Sequence, residues 1–126
     1  MTKKALISEK LPISNLPFSH GFLAGRFVFT SGQVGVNPQT GQLATGIEAQ
    51  TKQTLANVEA VLMAAGFTKH DVVKATVFLA DIRDYNAMNE VYSAFFNAPY
   101  PARSCVEAKL ANPKIRVEIE AIAYRA

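Results

Sequence analysis

Apolar positions between residues 47 and 65 recur at steps of three and four, which is the spacing of one face of an α-helix. These positions are Ile47, Thr51, Leu55, Val58, Leu62 and Ala65. Thr45 and Glu48 fit a capping box at the start of this helix, with Thr45 as the N-cap residue. Gly66 fits the C′ position after its end. The pattern therefore predicts an amphipathic helix that starts after Thr45 and is closed by Gly66.

A second apolar stripe predicts another helix, which Asp84 can cap and which the run Asn97-Ala98-Pro99 ends. Its members are Tyr85, Met88, Tyr92 and Phe95. Two other segments favour strands. Residues 26–30 are rich in aromatic and β-branched side chains, and residues 72–80 form a near-continuous apolar run, typical of a strand buried largely on both faces.

Two segments near the C-terminus, residues 103–110 and 115–124, alternate between apolar and polar positions and predict two more strands. Asn112-Pro113 lies in their connection, which favours an antiparallel hairpin. The order of elements is then strands, helix, strand, helix, strands. This order predicts an α+β domain in which two helices pack on one face of a sheet.

Composition narrows the class of protein. The chain has 126 residues, 49% of them apolar and 18% charged, which predicts one globular domain over residues 1–126. The net charge of +3 does not argue for a nucleic-acid partner. No apolar run is long enough for a membrane helix, and none follows the lysines of residues 1–8 as a secretory signal requires. We therefore expect a cytoplasmic protein without a membrane partner.

Cysteine and histidine are scarce. Cys105 is the single cysteine, so the chain contains no intrachain disulfide and no cysteine-based zinc site. The two histidines, His20 and His70, lie far apart in sequence and are interpreted as surface residues at a turn and at a helix start. No metal site is predicted.

The C-terminal hairpin carries the most informative candidate chemistry. In a compatible register, Arg103 and Cys105 would lie beside Glu118 and Glu120, although the sequence does not fix that register. An arginine fork can bind a substrate carboxylate, and a glutamate can hold or activate a water molecule. The competing interpretation is a cross-strand salt bridge on a solvated face.

Other positions have ordinary structural interpretations beside functional ones. Cys105 is more simply a half-buried thiol than a nucleophile, and Asn89 is more simply a solvated side chain. Ser31 and Gly32 stand at a strand end where a backbone comes close to another group, such as a ligand. Phe18 follows Pro17 in a loop and is either a core anchor or a pocket wall.

Residues 101–107 (PARSCVE) and 117–123 (VEIEAIA) closely resemble the C-terminal signature of the Rid family, also called the YjgF or L-PSP family. Further segments look like family segments in family order. They are residues 29–33, 37–41, 53–58, 64–66, 73–78 and 89–92. The resemblance covers nearly the whole chain.

The resemblance implies a chorismate-mutase-like α+β fold and a homotrimer whose sheets form an inner barrel, with three clefts between subunits. It also implies an enzyme, a 2-iminobutanoate/2-iminopropanoate deaminase. Such an enzyme hydrolyses reactive 2-imino acids, or their enamine tautomers, to 2-keto acids and ammonia. The family needs no metal and no organic cofactor for this reaction.

Site roles follow from the resemblance position by position. Arg103 matches the arginine that grips the substrate carboxylate, and Glu118 matches the glutamate that positions the attacking water. Cys105 matches a cleft residue that acts through its backbone. The other matching cleft positions are Ser31, Gly32 and Asn89. Phe18 replaces the family's usual loop tyrosine, which keeps an aromatic wall and loses a hydroxyl.

Three alternatives on the same fold stay open at this point: a regulatory binding protein, a role on RNA, and a chaperone-like role that relatives have after lysine or other modification. The missing hydroxyl at Phe18 motivates a regulatory protein that binds 2-keto acids without efficient turnover. Some relatives of the family bind or cleave RNA, but the small net charge and the two histidines give that role little support.

Overall fold

A mixed sheet forms one layer of the fold in the computed structural model, which describes residues 2–126. The strands described are β1 (Lys3–Leu6), β2 (Gly21–Ala24), β3 (Phe27–Thr30), β4 (Gln33–Val34), β5 (Val72–Leu79), β6 (Ala102–Glu107) and β7 (Val117–Tyr124). They follow the order β1-β2-β3-β7-β5-β6, and β4 pairs with β7 beside β3. Among these pairs only β5 and β6 run parallel.

The second layer consists of the helices α1 (Ile47–Met63) and α2 (Tyr85–Phe96). Short 3₁₀ turns at Lys69–Asp71 and Ile82–Asp84 lead into β5 and α2. Apolar side chains from both helices meet those of β5 and β7 in one buried cluster. The prediction of an α+β domain with two helices on a sheet is confirmed.

The helix layer covers only one face of β5. Ala75, Val77 and Leu79 are fully buried, whereas Thr76 and Phe78 on the opposite face are half-buried. The prediction that this strand is buried largely on both faces is therefore wrong within one chain, because no layer formed by residues 2–126 covers the second face.

The predicted C-terminal hairpin is also wrong. β5 lies between β6 and β7, parallel to β6 and antiparallel to β7. The connection between β6 and β7 does not form a tight turn, and both of its ends are hydrogen-bonded to the end of β5. The backbone N–H of Ala80 donates to the carbonyl of Arg116, and the N–H of Ala108 donates to the carbonyl of Leu79.

The helix ends differ in detail from the expected caps. The N-cap of α1 is Gly46, with φ 90° and no side-chain cap bond, so the capping box of Thr45 and Glu48 does not form. Gly66 has the left-handed φ of 77° expected of a terminating glycine, but it lies two residues after the C-cap Ala64. A positive φ suits glycine at both positions because it has no Cβ.

At the start of α2, Asp84 is the N-cap residue as predicted, but its side chain makes no cap hydrogen bond. Its carboxylate instead accepts from the Arg116 guanidinium at 2.8 Å. The buried stripe of this helix is Met88, Tyr92 and Phe96, so Tyr85 and Phe95 lie nearer its edge than the periodicity indicated.

His20 is buried, so its interpretation as a surface turn residue is wrong. Its Nδ1 accepts from the backbone N–H of Ser8 at 3.0 Å, which leaves Nε2 to donate to the carbonyl of Pro12 at 3.1 Å. These two bonds fix the N-terminal segment against β2. Between residues 2 and 126, no helix is long and apolar enough to cross a membrane, and no three His, Cys, Asp or Glu side chains group as metal ligands.

Candidate functional site

The Arg103 guanidinium is held by one face of α2. Its Nη1 donates to Asn89 Oδ1 at 2.6 Å, and its Nη2 donates to the Tyr85 hydroxyl at 3.1 Å. The guanidinium carbon lies 4.8 Å from the centroid of the Tyr92 ring. Tyr85, Asn89 and Tyr92 are spaced by four and three residues, so a single helix face presents all three to β6.

The positive charge of Arg103 has no carboxylate partner among residues 2–126. The two salt bridges there join Arg83 to Asp81 and Arg116 to Asp84. All groups that contact the Arg103 guanidinium are neutral. An arginine held in place by neutral partners keeps its charge available, and its planar fork matches the geometry of a carboxylate.

Cys105 follows Arg103 on the same face of β6 and is half-buried. Burial raises the pKa of the Cys105 thiol, and the nearby Arg103 charge opposes that rise only in part. A thiol with a raised pKa is mostly protonated at neutral pH and is a weak nucleophile. The geometry therefore agrees with a cleft residue whose thiol does not react.

A second group of candidate residues surrounds Gly32. β4 places Val34 opposite Glu118, and this pairing brings the Glu118 carboxylate onto the backbone of Gly32. A Cβ at position 32 would overlap that carboxylate. The expected close approach at this strand end is thus confirmed, and the group that approaches is Glu118.

Ser31 ties the Phe18 loop to the same strand end. Its Oγ donates to the carbonyl of Ser19 at 2.6 Å, and its N–H donates to the carbonyl of His20 at 2.9 Å. Phe18 is 53% exposed and lines a cavity of about 230 Å³ together with Gly32. Of the two interpretations of Phe18, the structure supports the pocket wall.

The environment of Glu118 favours its neutral form more than water does. Burial raises the pKa of the Glu118 carboxyl, and the negative charge of Glu120 raises it further. Glu118 takes part in no salt bridge within the described chain. A carboxylate with a raised pKa is a stronger proton acceptor than an exposed one.

The register places these two groups on opposite faces of the sheet. Arg103 pairs with Ala75 on the face that the helices cover. Glu118 pairs with Phe78, and Phe78 with Val106, on the uncovered face. The expectation that Arg103 and Cys105 lie beside Glu118 is therefore wrong within one chain.

The chain brings the predicted site residues together in two separate sets. The Arg103 set contains Asn89, Arg103 and Cys105, and the Glu118 set contains Phe18, Ser31, Gly32 and Glu118. Sequence reasoning missed the contacts of Tyr85 and Tyr92 with Arg103, because both residues were assigned to an apolar stripe. The i, i+4, i+7 spacing around Asn89 is the signal that could have linked them.

Replacing Gly32 with alanine is expected to displace Glu118, since the new Cβ overlaps its carboxylate. We expect Gly32→Ala to destabilise the fold by about 1–3 kcal/mol, the usual cost of overpacking. Urea unfolding measures this cost. The matched control is the same substitution in a Glu118→Ala background, where most of the cost should disappear because the overlapping carboxylate is gone. An equal cost in both backgrounds would show that the contact with Glu118 is not its origin.

Comparison with known proteins assigns the chain to a family. Residues 9–125 match the family model described as Endoribonuclease L-PSP. The chain is 43% identical over 125 residues to the 2-iminobutanoate/2-iminopropanoate deaminase of Escherichia coli, covering 97% of this chain and 98% of the relative. It is 42% identical to a RutC family protein of Pyrococcus horikoshii, covering 98% of each.

Solved structures agree with this assignment. The YjgF gene product of E. coli superposes with a TM-score of 0.92 at 42% identity, covering 98% of this chain and 99% of the other. E. coli TdcF with bound serine has the same TM-score at 40% identity and the same coverage. The chain therefore belongs to the Rid family, the YjgF/L-PSP family whose sequence signature it carries.

Proposed function

We propose that this protein hydrolyses 2-imino acids, such as 2-iminobutanoate and 2-iminopropanoate, to 2-keto acids and ammonia. The observation that carries the proposal is the Arg103 guanidinium, which Asn89 and Tyr92 hold in place without neutralising its charge. Relatives that are 43% and 44% identical to the chain are named 2-iminobutanoate/2-iminopropanoate deaminase. A small 2-imino acid offers the carboxylate that Arg103 can bind.

We infer that the complete site needs two copies of the chain. Within one copy, Arg103 and Glu118 project from opposite faces of the sheet. The face that carries Glu118 also exposes large apolar side chains. These are Phe27, Phe29, Val106 and Tyr124. A homotrimer with its sheets turned inward would cover this face. It would also place the Arg103 set of one subunit opposite the Glu118 set of the next subunit.

The proposed mechanism begins with binding and orientation. The Arg103 guanidinium donates hydrogen bonds to the substrate carboxylate, and Asn89 keeps that guanidinium from rotating. The imine carbon is next to the carboxylate, so fixing one places the other. Positioning of this kind contributes on the order of 7–11 kcal/mol in well-oriented reactions.

The chemical steps then use water and Glu118. The Glu118 carboxylate takes a proton from a water molecule while the water oxygen forms a bond to the imine carbon. The C=N electron pair moves to nitrogen, which receives that proton from the Glu118 carboxyl and gives a neutral carbinolamine. Glu118 then takes the carbinolamine hydroxyl proton and passes it to the nitrogen as the C=O bond forms, the C–N bond breaks and ammonia leaves. The balance is one imino acid and one water to one keto acid and one ammonia. Protein groups and water suffice for every step.

A coupled assay tests this function. A threonine dehydratase releases 2-iminobutanoate, and the rate of 2-oxobutanoate formation is followed with and without the protein. Acceleration above the dehydratase alone is the expected result. No acceleration, with 2-oxobutanoate still bound, would instead indicate the binding protein motivated by Phe18. Incubation with RNA of mixed sequence forms a parallel arm, in which we expect no cleavage.

A further inference from the structure

The Tyr85 hydroxyl occupies an unusual position beside Arg103. A guanidinium only donates hydrogen bonds, so the Tyr85 oxygen must be the acceptor in its 3.1 Å bond with Nη2. The hydroxyl hydrogen of Tyr85 therefore points elsewhere, and no group within residues 2–126 accepts it. The side chain is 39% exposed, so this hydrogen is accessible from outside the chain.

The contacts of the guanidinium define where an anion can bind. Nη1 is occupied by Asn89 and lies 3.9 Å from the Met88 sulfur. Nε has no hydrogen-bond partner among residues 2–126, and Nη2 has a second hydrogen besides the one given to Tyr85. Nε and the second hydrogen of Nη2 are therefore the guanidinium donors left for a carboxylate.

We propose that Tyr85 is a second binding residue for the substrate carboxylate, donating its hydroxyl hydrogen to a carboxylate oxygen held by Arg103. The inference rests on the proposed function and names the group that completes its anion site. The two donors to the carboxylate would be Arg103 Nη2 and the Tyr85 hydroxyl. They lie next to each other because Nη2 also donates to the Tyr85 oxygen. Accepting from a cation also polarises the Tyr85 O–H bond and strengthens it as a donor.

This arrangement makes Tyr85 a determinant of ligand charge. The ligand oxygen nearest Arg103 must accept two or more hydrogen bonds, which a carboxylate does well and a neutral group does poorly. Because the carboxylate stays bound throughout the reaction, the contact stabilises ground state and transition state alike. Losing it should raise KM and leave kcat nearly unchanged.

Titration calorimetry with 2-oxobutanoate tests the proposal on binding alone. Tyr85→Phe keeps the ring and removes only the hydroxyl, and we expect Kd to rise about tenfold to a hundredfold at unchanged Tm, the usual effect of one hydrogen bond to a charged group. The matched control is Tyr100→Phe, since Tyr100 is also exposed and makes no hydrogen bond within residues 2–126. Its Kd should equal that of the wild type.

The outcomes separate this inference from the function beneath it. An unchanged or lower Kd for Tyr85→Phe overturns the proposal, and a lower Kd would show that the hydroxyl competes with the ligand for Arg103. In an Arg103→Ala background, Tyr85→Phe should have no further effect, because the shared partner is gone. Wild-type affinity in Arg103→Ala itself would instead contradict the proposed anion site. Because 2-oxobutanoate is the product, the test needs no turnover.

Discussion

Arg103→Ala is expected to lower kcat/KM for 2-iminobutanoate by about a thousandfold, through loss of a charge-assisted double hydrogen bond worth several kcal/mol. Within residues 2–126, no other cation takes part in the contacts that hold this guanidinium, so none of them substitutes for its charge. The coupled 2-oxobutanoate assay measures the effect. Arg103→Lys should recover part of the rate, because it restores the charge without the planar fork.

Arg83→Ala is the matched control for this substitution. Arg83 is an exposed arginine that pairs with Asp81 at the surface, and its loss should leave the rate unchanged. Arg103→Ala running at the wild-type rate would remove Arg103 from the mechanism. So would an equal loss in the Arg83 variant.

Glu118→Gln is expected to lower kcat by about 10²–10⁴-fold, the usual contribution of a general base, with little change in KM. The same variant should be more stable than the wild type at neutral pH. The Glu118 pKa is raised by burial and by Glu120, so the folded protein disfavours the charged carboxylate and the wild type loses stability as pH rises. Glutamine carries no charge and escapes that loss.

The pH dependence gives this prediction a sign. Below the ordinary carboxyl pKa, Glu118 is protonated in both folded and unfolded chains and contributes no difference. The advantage of the glutamine variant should appear between that value and the raised folded pKa, and should persist at higher pH. Urea unfolding at acidic and neutral pH measures it. The exposed neighbour offers the control Glu120→Gln, which should keep most of the rate.

A Glu118→Gln variant that is both fully active and unchanged in stability would contradict both parts of this prediction. A variant that is inactive and unfolded would carry no information about the base. In that case Glu118→Asp, which keeps the carboxylate and shortens the side chain, separates the two roles. We expect it to fold and to lose rate, because the carboxylate retreats from the water it must reach.

Local sequence patterns predicted both helices and the strands β3, β5, β6 and β7, but not the short strands β1, β2 and β4, which offer too few residues to show a period. The spacing around Leu55 and Val58 identified α1, and the alternation from residue 117 to 124 identified β7. Pairing could not be predicted in the same way. Alternation says which face a residue occupies but not which strand lies beside it. In this chain β5, which precedes α2 and β6 in the sequence, lies between β6 and β7 in the sheet.

For the candidate site too, the sequence indicated the residues but not how the strands that carry them pair. The hairpin interpretation placed Arg103 and Glu118 side by side, which the register contradicts. The resemblance to the Rid family selected the same two residues without any assumption about pairing, so it was unaffected by that error. Tyr85 escaped both approaches, because a tyrosine in an apolar stripe looks like core until its hydroxyl is seen on Arg103.

Burial of polar groups was the other limit of the sequence. Nothing local to His20 marks it as a buried residue, since Pro17 and Gly21 around it are typical of an exposed turn. Its burial depends on the segment that includes Ser8 and Pro12 folding back over it. Such contacts between distant segments set the wall of the Phe18 cavity, and no periodic pattern encodes them.

Subunit complementation tests most directly whether the active site is assembled from two copies of the chain. Arg103→Ala and Glu118→Gln chains with different affinity tags are co-expressed, and assemblies carrying both tags are purified and assayed for 2-oxobutanoate formation. If one subunit supplies Arg103 and the next supplies Glu118, each mixed trimer contains one intact site and should reach about one third of the wild-type rate. Mixed assemblies as inactive as either parent would contradict the shared site.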